Sequence, residues 1–262
     1  MKKLQILLSL VAFSLMMGCT TPSGVEVTQY FPINNNYINL YISDGMQVTV
    51  SDKVNEVVIT GDESIMEKVK VESSSTNLRI YRKDIAIVYP TKTRVLIPYN
   101  ECLRKVEVSM DSDFTTDYSL VSGEVTVNVD SRSKFNGYIM ADILNLKVVD
   151  NSEAYVTFDV HDLMNLKMSG SSISNLDGDA RIVKLDIQDN SSNENIWDSG
   201  HYTFSCDECQ GTVKSNCQIY LDCVTEIAVD LSNYSFLHYT NNPYINGSEV
   251  DGTSGLIYEG YK

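Results

Sequence analysis

Four of the chain's six cysteines lie close together, as Cys206, Cys209, Cys217 and Cys223. Cys206-Asp207-Glu208-Cys209 has the spacing of a zinc or redox pair, but Cys217 and Cys223 have the wrong interval for a zinc ribbon. A redox Cys-x-x-Cys should open a helix beside a parallel α/β sheet, and no such pattern exists here. In an oxidising compartment the expected fates are a disulfide within residues 206–223 or buried free thiols. With Cys102 the number beyond Cys19 is odd, so at least one thiol has no partner within the chain.

The carboxylates are the second candidates. Asp111, Asp113, Asp117, Asp150, Asp177, Asp179, Asp186 and Asp189 could bind calcium or form hydrolytic pairs. The Gly-Gly-x-Gly-x-Asp nonapeptide of calcium-binding β-rolls is absent, however. Asp130 and Asp150 could meet on neighbouring corners of a coiled fold, as a glycosidase pair requires, yet Asp is also the ordinary residue of polar turns. Gly170-Ser171-Ser172 is not a nucleophile elbow, and His161, His201 and His238 have no recognisable partners. No Gly-rich phosphate loop precedes a helix. No catalytic residue, metal site or cofactor is assigned, and the chain is expected not to be an enzyme. Tyrosines cluster at both ends, Tyr30, Tyr37 and Tyr41 with Phe31, and Tyr234, Tyr239, Tyr244, Tyr258 and Tyr261. They would either stack on sugars or a protein partner, or cap the ends of the fold.

Charge narrows the partners. The formal net charge is −15, which repels polynucleotides and anionic headgroups, so nucleic-acid binding is excluded. The N-terminus points to a membrane instead. Met1-Lys2-Lys3, an apolar run from Leu4 to Met17, and Gly18 before Cys19 form a secretory signal over residues 1–18. The run is too short to span a bilayer. The segment resembles a bacterial lipobox, with Met16 where Leu is commonest, which implies lipidation of Cys19. Residues 19–30, including Thr20-Thr21-Pro22-Ser23-Gly24, are then read as a tether. The expected place is the cell envelope, on the outer membrane, with the leaflet left open.

The elements that must position these residues are strands. Met46-Gln47-Val48-Thr49-Val50, Leu78-Arg79-Ile80-Tyr81 and Arg94-Val95-Leu96-Ile97 alternate between polar turns. One short helix is predicted at Asp62–Lys68, capped by Asp62. Beyond residue 100 the alternation acquires a period. Asn145-Leu146-Lys147 returns as Asn165-Leu166-Lys167, and apolar-x-apolar units start at 108, 127, 146, 166, 185 and 204, with a later copy at 227. Polar clusters such as Asp150-Asn151-Ser152 and Asp189-Asn190-Ser191 follow each unit. The period implies a solenoid, and the β-branched and aromatic content points to a parallel β-helix with coils of 19–20 residues. Residues 31–100 are read as an irregular N-terminal β region continuous with the solenoid, and 101–262 as the repeats with a C-terminal cap.

The chain also resembles bacterial envelope proteins described as putative auto-transporter adhesins with a head GIN domain. The resemblance rests on "ISDGMQVTVSDKVNEVVITGDESIMEKVKVESSSTNLRIYRK" from Ile42 to Lys83, on the coils, and on Ser254-Gly255-Leu256-Ile257-Tyr258-Glu259-Gly260. The family's repeated Ser-Gly-Ser-Gly survives only at Ser169-Gly170-Ser171. The resemblance implies a right-handed β-helix and an adhesin-like lipoprotein, and supplies no catalytic residue. The function expected is a non-enzymatic, membrane-anchored binding or scaffold module with an unspecified glycan or protein partner. The alternative is a polysaccharide-active or carbohydrate-binding β-helix.

Overall fold

The strands follow from alternation. In Lys134–Val149, Phe135, Ile139 and Ala141 are buried before a bend at Asp142-Ile143, and Leu144, Leu146 and Val148 are buried after it. The side chains between them face solvent, so each coil presents two apolar edges to one interior. Glu153–Ser169 and Ile173–Ile187 repeat the pattern. A single coil cannot cover these edges, and only stacking buries them. Parallel pairing aligns Val127, Leu146, Leu166 and Leu185 in one inward row. Asn145, Leu146 and Lys147 thus face Asn165, Leu166 and Lys167 directly. The result, in a computed structural model that describes residues 19–20, 22–83, 86–87, 93–194, 197–198 and 201–260, is a parallel β-helix of about seven turns. The signal segment lies outside the described residues.

Two parts of the expected register are corrected. Val106, not Val108, faces Val127. After Leu185 the row continues through Gly211 and Val229, not Phe204 and Ile227. Phe204 faces Gly178, at an earlier station of the coil. The physical reason is an excursion between Asn193 and Phe204. It separates the register partners Asp179 and Ser205 by 26 residues, against 19 for Lys167 and Asp186. An apolar-x-apolar pattern with period 2 fits both registers, so the pattern alone could not tell them apart.

The corners share one construction. Ser131-Arg132, Asp150-Asn151, Gly170-Ser171, Asp189-Asn190 and Ser215-Asn216 each place two successive residues at positive φ. That tight reversal favours Asn, Asp and Gly. The next residue points inward and is buried: Ser133, Ser152, Ser172, Ser191 and, in the last of these, Cys217. Each serine hydroxyl accepts the backbone N–H of its counterpart one coil earlier. Ser112 N–H donates to Ser133 Oγ at 3.2 Å, Ser133 N–H to Ser152 Oγ at 3.2 Å, and Ser172 N–H to Ser191 Oγ at 3.2 Å. Further on, Cys217 N–H donates to Ser235 Oγ and Ser235 N–H to Ser254 Oγ. A buried serine ladder thereby satisfies donors that a dry corner would orphan.

The N-terminal end is not stacked in chain order. Asn39–Ile42 lies between Lys105–Val108 on one side and Asn77–Arg82 on the other, parallel to both. Likewise Met46–Ser51 lies between Asp113–Val129 and Thr93–Pro98. Antiparallel strands then cover these outer rungs: Val69–Ser73 on Asn77–Arg82, Val57–Asp62 on Thr93–Pro98, and Glu26–Phe31 on Val57–Asp62. They occupy edges that would otherwise template further pairing. Residues 26–30, expected within the tether, therefore belong to a strand that ends at Phe31. The helix is one turn, Glu63–Met66, with Asp62 accepting from Ser64 N–H. At the far end Phe236–Thr240 adds to Gln218–Ser232, and Gly255–Tyr258 adds to it.

Candidate ligand-binding groove

The outward residues of the N-terminal rungs converge on one surface. Glu72, Arg79, Tyr41 and Glu107 are successive register partners across four strands, and form one row. Two residues along, Tyr81, Ser43 and Ser109 line a groove of about 380 Å³ with them. A second groove, of about 480 Å³, is lined by Asn39, Arg104, Lys105, Gly123, Glu124 and Thr126. Lys105 joins the two, because its Nζ lies 2.6 Å from Glu107 Oε1.

The side chains are held by one another. The Arg79 guanidinium lies 4.9 Å from the Tyr41 ring centroid, and Lys105 Nζ lies 5.5 Å from it. Such cation–π contacts fix the ring and both cations. Tyr81 donates to Glu72 Oε1 at 2.7 Å, and that hydrogen bond raises the phenol's pKa above its ordinary value. The hydrogen bond to Glu107 likewise raises that of Lys105. Asn39 donates to Asn77 Oδ1 at 2.9 Å beside them. The row continues along the axis through Asn128, Lys147, Lys167 and Asp186, each facing the next. This arrangement offers a line of donors and acceptors on one outer face, suited to binding.

The residues singled out for chemistry lie elsewhere. Cys206, Cys209, Cys217 and Cys223 are buried thiols rather than a cross-linked pair, and Cys102 is an exposed one. Hydrogen bonding with Cys209 raises the Cys206 thiol's pKa, and hydrogen bonding with Cys206, then burial, raises that of Cys223. Both are thereby kept protonated and poorly nucleophilic. Asp150 takes the first positive-φ place of its corner, whereas Asp130 immediately precedes the positive-φ pair Ser131-Arg132. Asp111 is bound by Arg132, with a contact of 2.6 Å. His161 meets Asp142 at 3.2 Å on the surface. His238 has both ring nitrogens engaged, by Glu259 at 2.7 Å and Gln218 at 3.0 Å. Among the described residues no group of three or more His, Cys, Asp or Glu could hold a metal ion.

The tyrosines separate into classes. Tyr37 is fully buried, with its hydroxyl donating to Pro98 O, and burial raises its pKa. Tyr30, Tyr234, Tyr244 and Tyr258 are exposed. His201 is described in its backbone only, and Tyr261 lies outside the described residues. The exposed cluster Val121, Tyr138, Met140 and Tyr155, on the other strand segment of successive coils, had no mark in the sequence. The groove was equally hidden there. Its rungs come from residues 39–43, 72–81 and 104–109, which the chain meets in an order different from their order in space.

No functionally curated protein is detectably similar to this chain. Solved structures are similar in fold. A putative adhesin from Parabacteroides merdae is 16% identical, covers 92% of this chain with 99% of its own length, and superposes with a TM-score of 0.80. A putative adhesin from Parabacteroides distasonis is 15% identical over 92% of this chain and 98% of its own, with a TM-score of 0.68. A putative lipid binding protein from the same species is 12% identical over 92% of this chain and 99% of its own, with a TM-score of 0.69. The family described as putative auto-transporter adhesin, head GIN domain, matches residues 36–243. With the β-helix and most of the chain accounted for in this way, the protein belongs to the head GIN domain family.

Proposed function

We propose that the protein is a non-enzymatic binding module of the cell envelope, adhesin-like in role, which presents the N-terminal groove to a ligand. The observation that carries this reading is the row Glu72–Arg79–Tyr41–Glu107, whose side chains are fixed on a rigid sheet by mutual contacts. Pre-ordered side chains lose little entropy on binding, the economy a recognition surface needs. The family and the adhesin relatives support a binding role.

Attachment through acyl chains on Cys19, on the outer membrane, is part of the same proposal. Its support is the Met1–Cys19 segment of the sequence. More than one acyl chain would be needed for a stable hold. Fractionation of cells carrying Cys19→Ser tests the anchor: the variant should leave the membrane fraction, and unchanged membrane retention defeats it. Immobilised protein from residue 22 onward tests the role, through a screen of envelope and host surface components. Selective retention of one component is expected, and turnover of a polysaccharide would transfer the protein to the enzymatic alternative.

A further inference from the structure

The groove's chemistry specifies a class of ligand. The two lined volumes contain Arg79, Arg104 and Lys105 against Glu72, Glu107 and Glu124, so the cations and carboxylates balance. That local balance stands out in a chain of net charge −15. Lys105 and Glu107 are paired with each other at 2.6 Å, and Arg79 lies against the Tyr41 ring. A polyanion would have to approach the three carboxylates, and a polycation the three basic groups. A neutral molecule rich in hydroxyls meets no such opposition, because each hydroxyl can donate to a carboxylate and accept from a neighbouring cation. The row rises by about 4.8 Å per strand, so acceptors at Glu72 and Glu107 and a donor at Arg79 stand at regular steps along the helix axis.

We infer that the groove is a saccharide subsite that takes an uncharged oligosaccharide laid along the solenoid axis. Arg79 and Glu107 supply the orienting hydrogen bonds, and Ser43, Ser109 and Tyr81 supply hydroxyls on the flank. The inference rests on the binding role proposed above and gives it a ligand class. The subsite lies on the rigid polar strip, away from the exposed Val121, Tyr138, Met140 and Tyr155 cluster.

Isothermal titration of the chain from residue 22 with hexaoses of neutral sugars (β-1,4-glucan, β-1,3-glucan, α-1,4-glucan, β-1,4-mannan) tests this, with oligogalacturonate and chitosan hexamers as charged controls. At least one neutral hexaose should bind, and its affinity should change less than twofold between 50 and 500 mM salt, since no counterions are released. Arg79→Ala and Glu107→Gln should each weaken it at least tenfold, while the circular dichroism and melting temperature stay close to those of the parent. Both variants lie on the outer face, and Glu107→Gln keeps the shape of the side chain. Three results overturn the inference: no neutral hexaose binding at millimolar concentration, binding confined to a charged control and abolished by salt, or neutral binding that survives both variants. If either of the first two occurs while the parent retains an envelope component that both variants lose, the groove's binding role stands and only its ligand class fails.

Discussion

Ser152 is buried in the middle of the serine ladder, and its hydroxyl is the partner of Ser133 N–H. Ser152→Ala leaves that donor dry, which costs about 1–3 kcal/mol. Chemical unfolding should show the loss, and a variant as stable as the parent would mean that another acceptor serves the corner. Cys217 takes the same ladder position, where its thiol contacts Lys214 O at 3.1 Å. Cys217→Ser should therefore change stability by less than about 1 kcal/mol, while a cysteine needed for a cross-link would cost the 2–5 kcal/mol typical of losing a disulfide. Gly178 is a sharper test. It has φ +147°, and an added Cβ would lie 1.8 Å from Phe158 O. Phe158 and Phe204, its neighbours one coil to either side, meet across it edge to face at 5.9 Å. Gly178→Ala combines backbone strain with overpacking, a loss of about 2–5 kcal/mol. A melting temperature unchanged by Gly178→Ala would contradict the close approach of these coils. The serines and corner Asp-Asn pairs were legible in the sequence as turn residues. That the serine hydroxyls point inward was not, because a turn's polarity says nothing about which of its side chains faces the core.

The terminal elements are held by carboxylates with a distinct acid sensitivity. Asp251 accepts from Asn233 N–H at 2.7 Å and from Thr253 N–H at 3.0 Å, and so joins two corners of neighbouring coils. At the other end Asp62 accepts from Ser23 N–H, Gly24 N–H and Ser64 N–H, and ties the segment before Glu26–Phe31 to the short helix. The Asn233 backbone holds Asp251, and the Ser64 hydroxyl holds Asp62, well below the usual carboxylate range. A folded pKa below the unfolded value near 3.9 means stability that is complete above about pH 5 and is lost progressively as pH falls from there toward the folded pKa. Asp251→Asn should lower the melting temperature at pH 7, and the gap from the parent should close as pH falls toward about 2. A gap that stays constant with pH would show that the carboxylate's charge has no part in holding the corner. At this scale the sequence is partly readable. The helix cap at Asp62 is recognisable from local residue order, because it is a local interaction. Asp251 reaches across coils to Asn233, and no local signal announces that partner.

The coil period and axial direction follow from Leu146 and its in-register neighbours Val127, Leu166 and Leu185, because stacking is nearest-neighbour. The end of the stack does not follow, because the strands 39–42, 77–82 and 105–108 lie side by side in an order set by long-range closure and not by periodicity. The groove inherits this illegibility, since it is built across that inverted order. The same nearest-neighbour logic makes a prediction for the whole molecule. Deleting residues 147–166 joins Leu146 to Lys167 and restores Asn-Leu-Lys at the junction, so one full coil leaves without a break in register. Ser133 then meets Ser172 in the ladder, Phe135 meets Ser174, and every remaining inward row stays continuous. The shortened chain should fold with the parent's strand-type circular dichroism. It should unfold with a smaller dependence on denaturant, in proportion to the surface of the lost coil. Deletion of half as much, residues 147–156, moves every inward residue after the junction to a different station and should abolish cooperative unfolding. If both deletions fold equally well, or neither does, the coils are not the independent stacking units that the register implies. Because the groove is formed by rungs on the N-terminal side of the deletion, its ligand affinity should be the same in the shortened chain as in the parent. An affinity lost with the coil would instead locate binding further along the axial row, at the removed rung that carries Lys147.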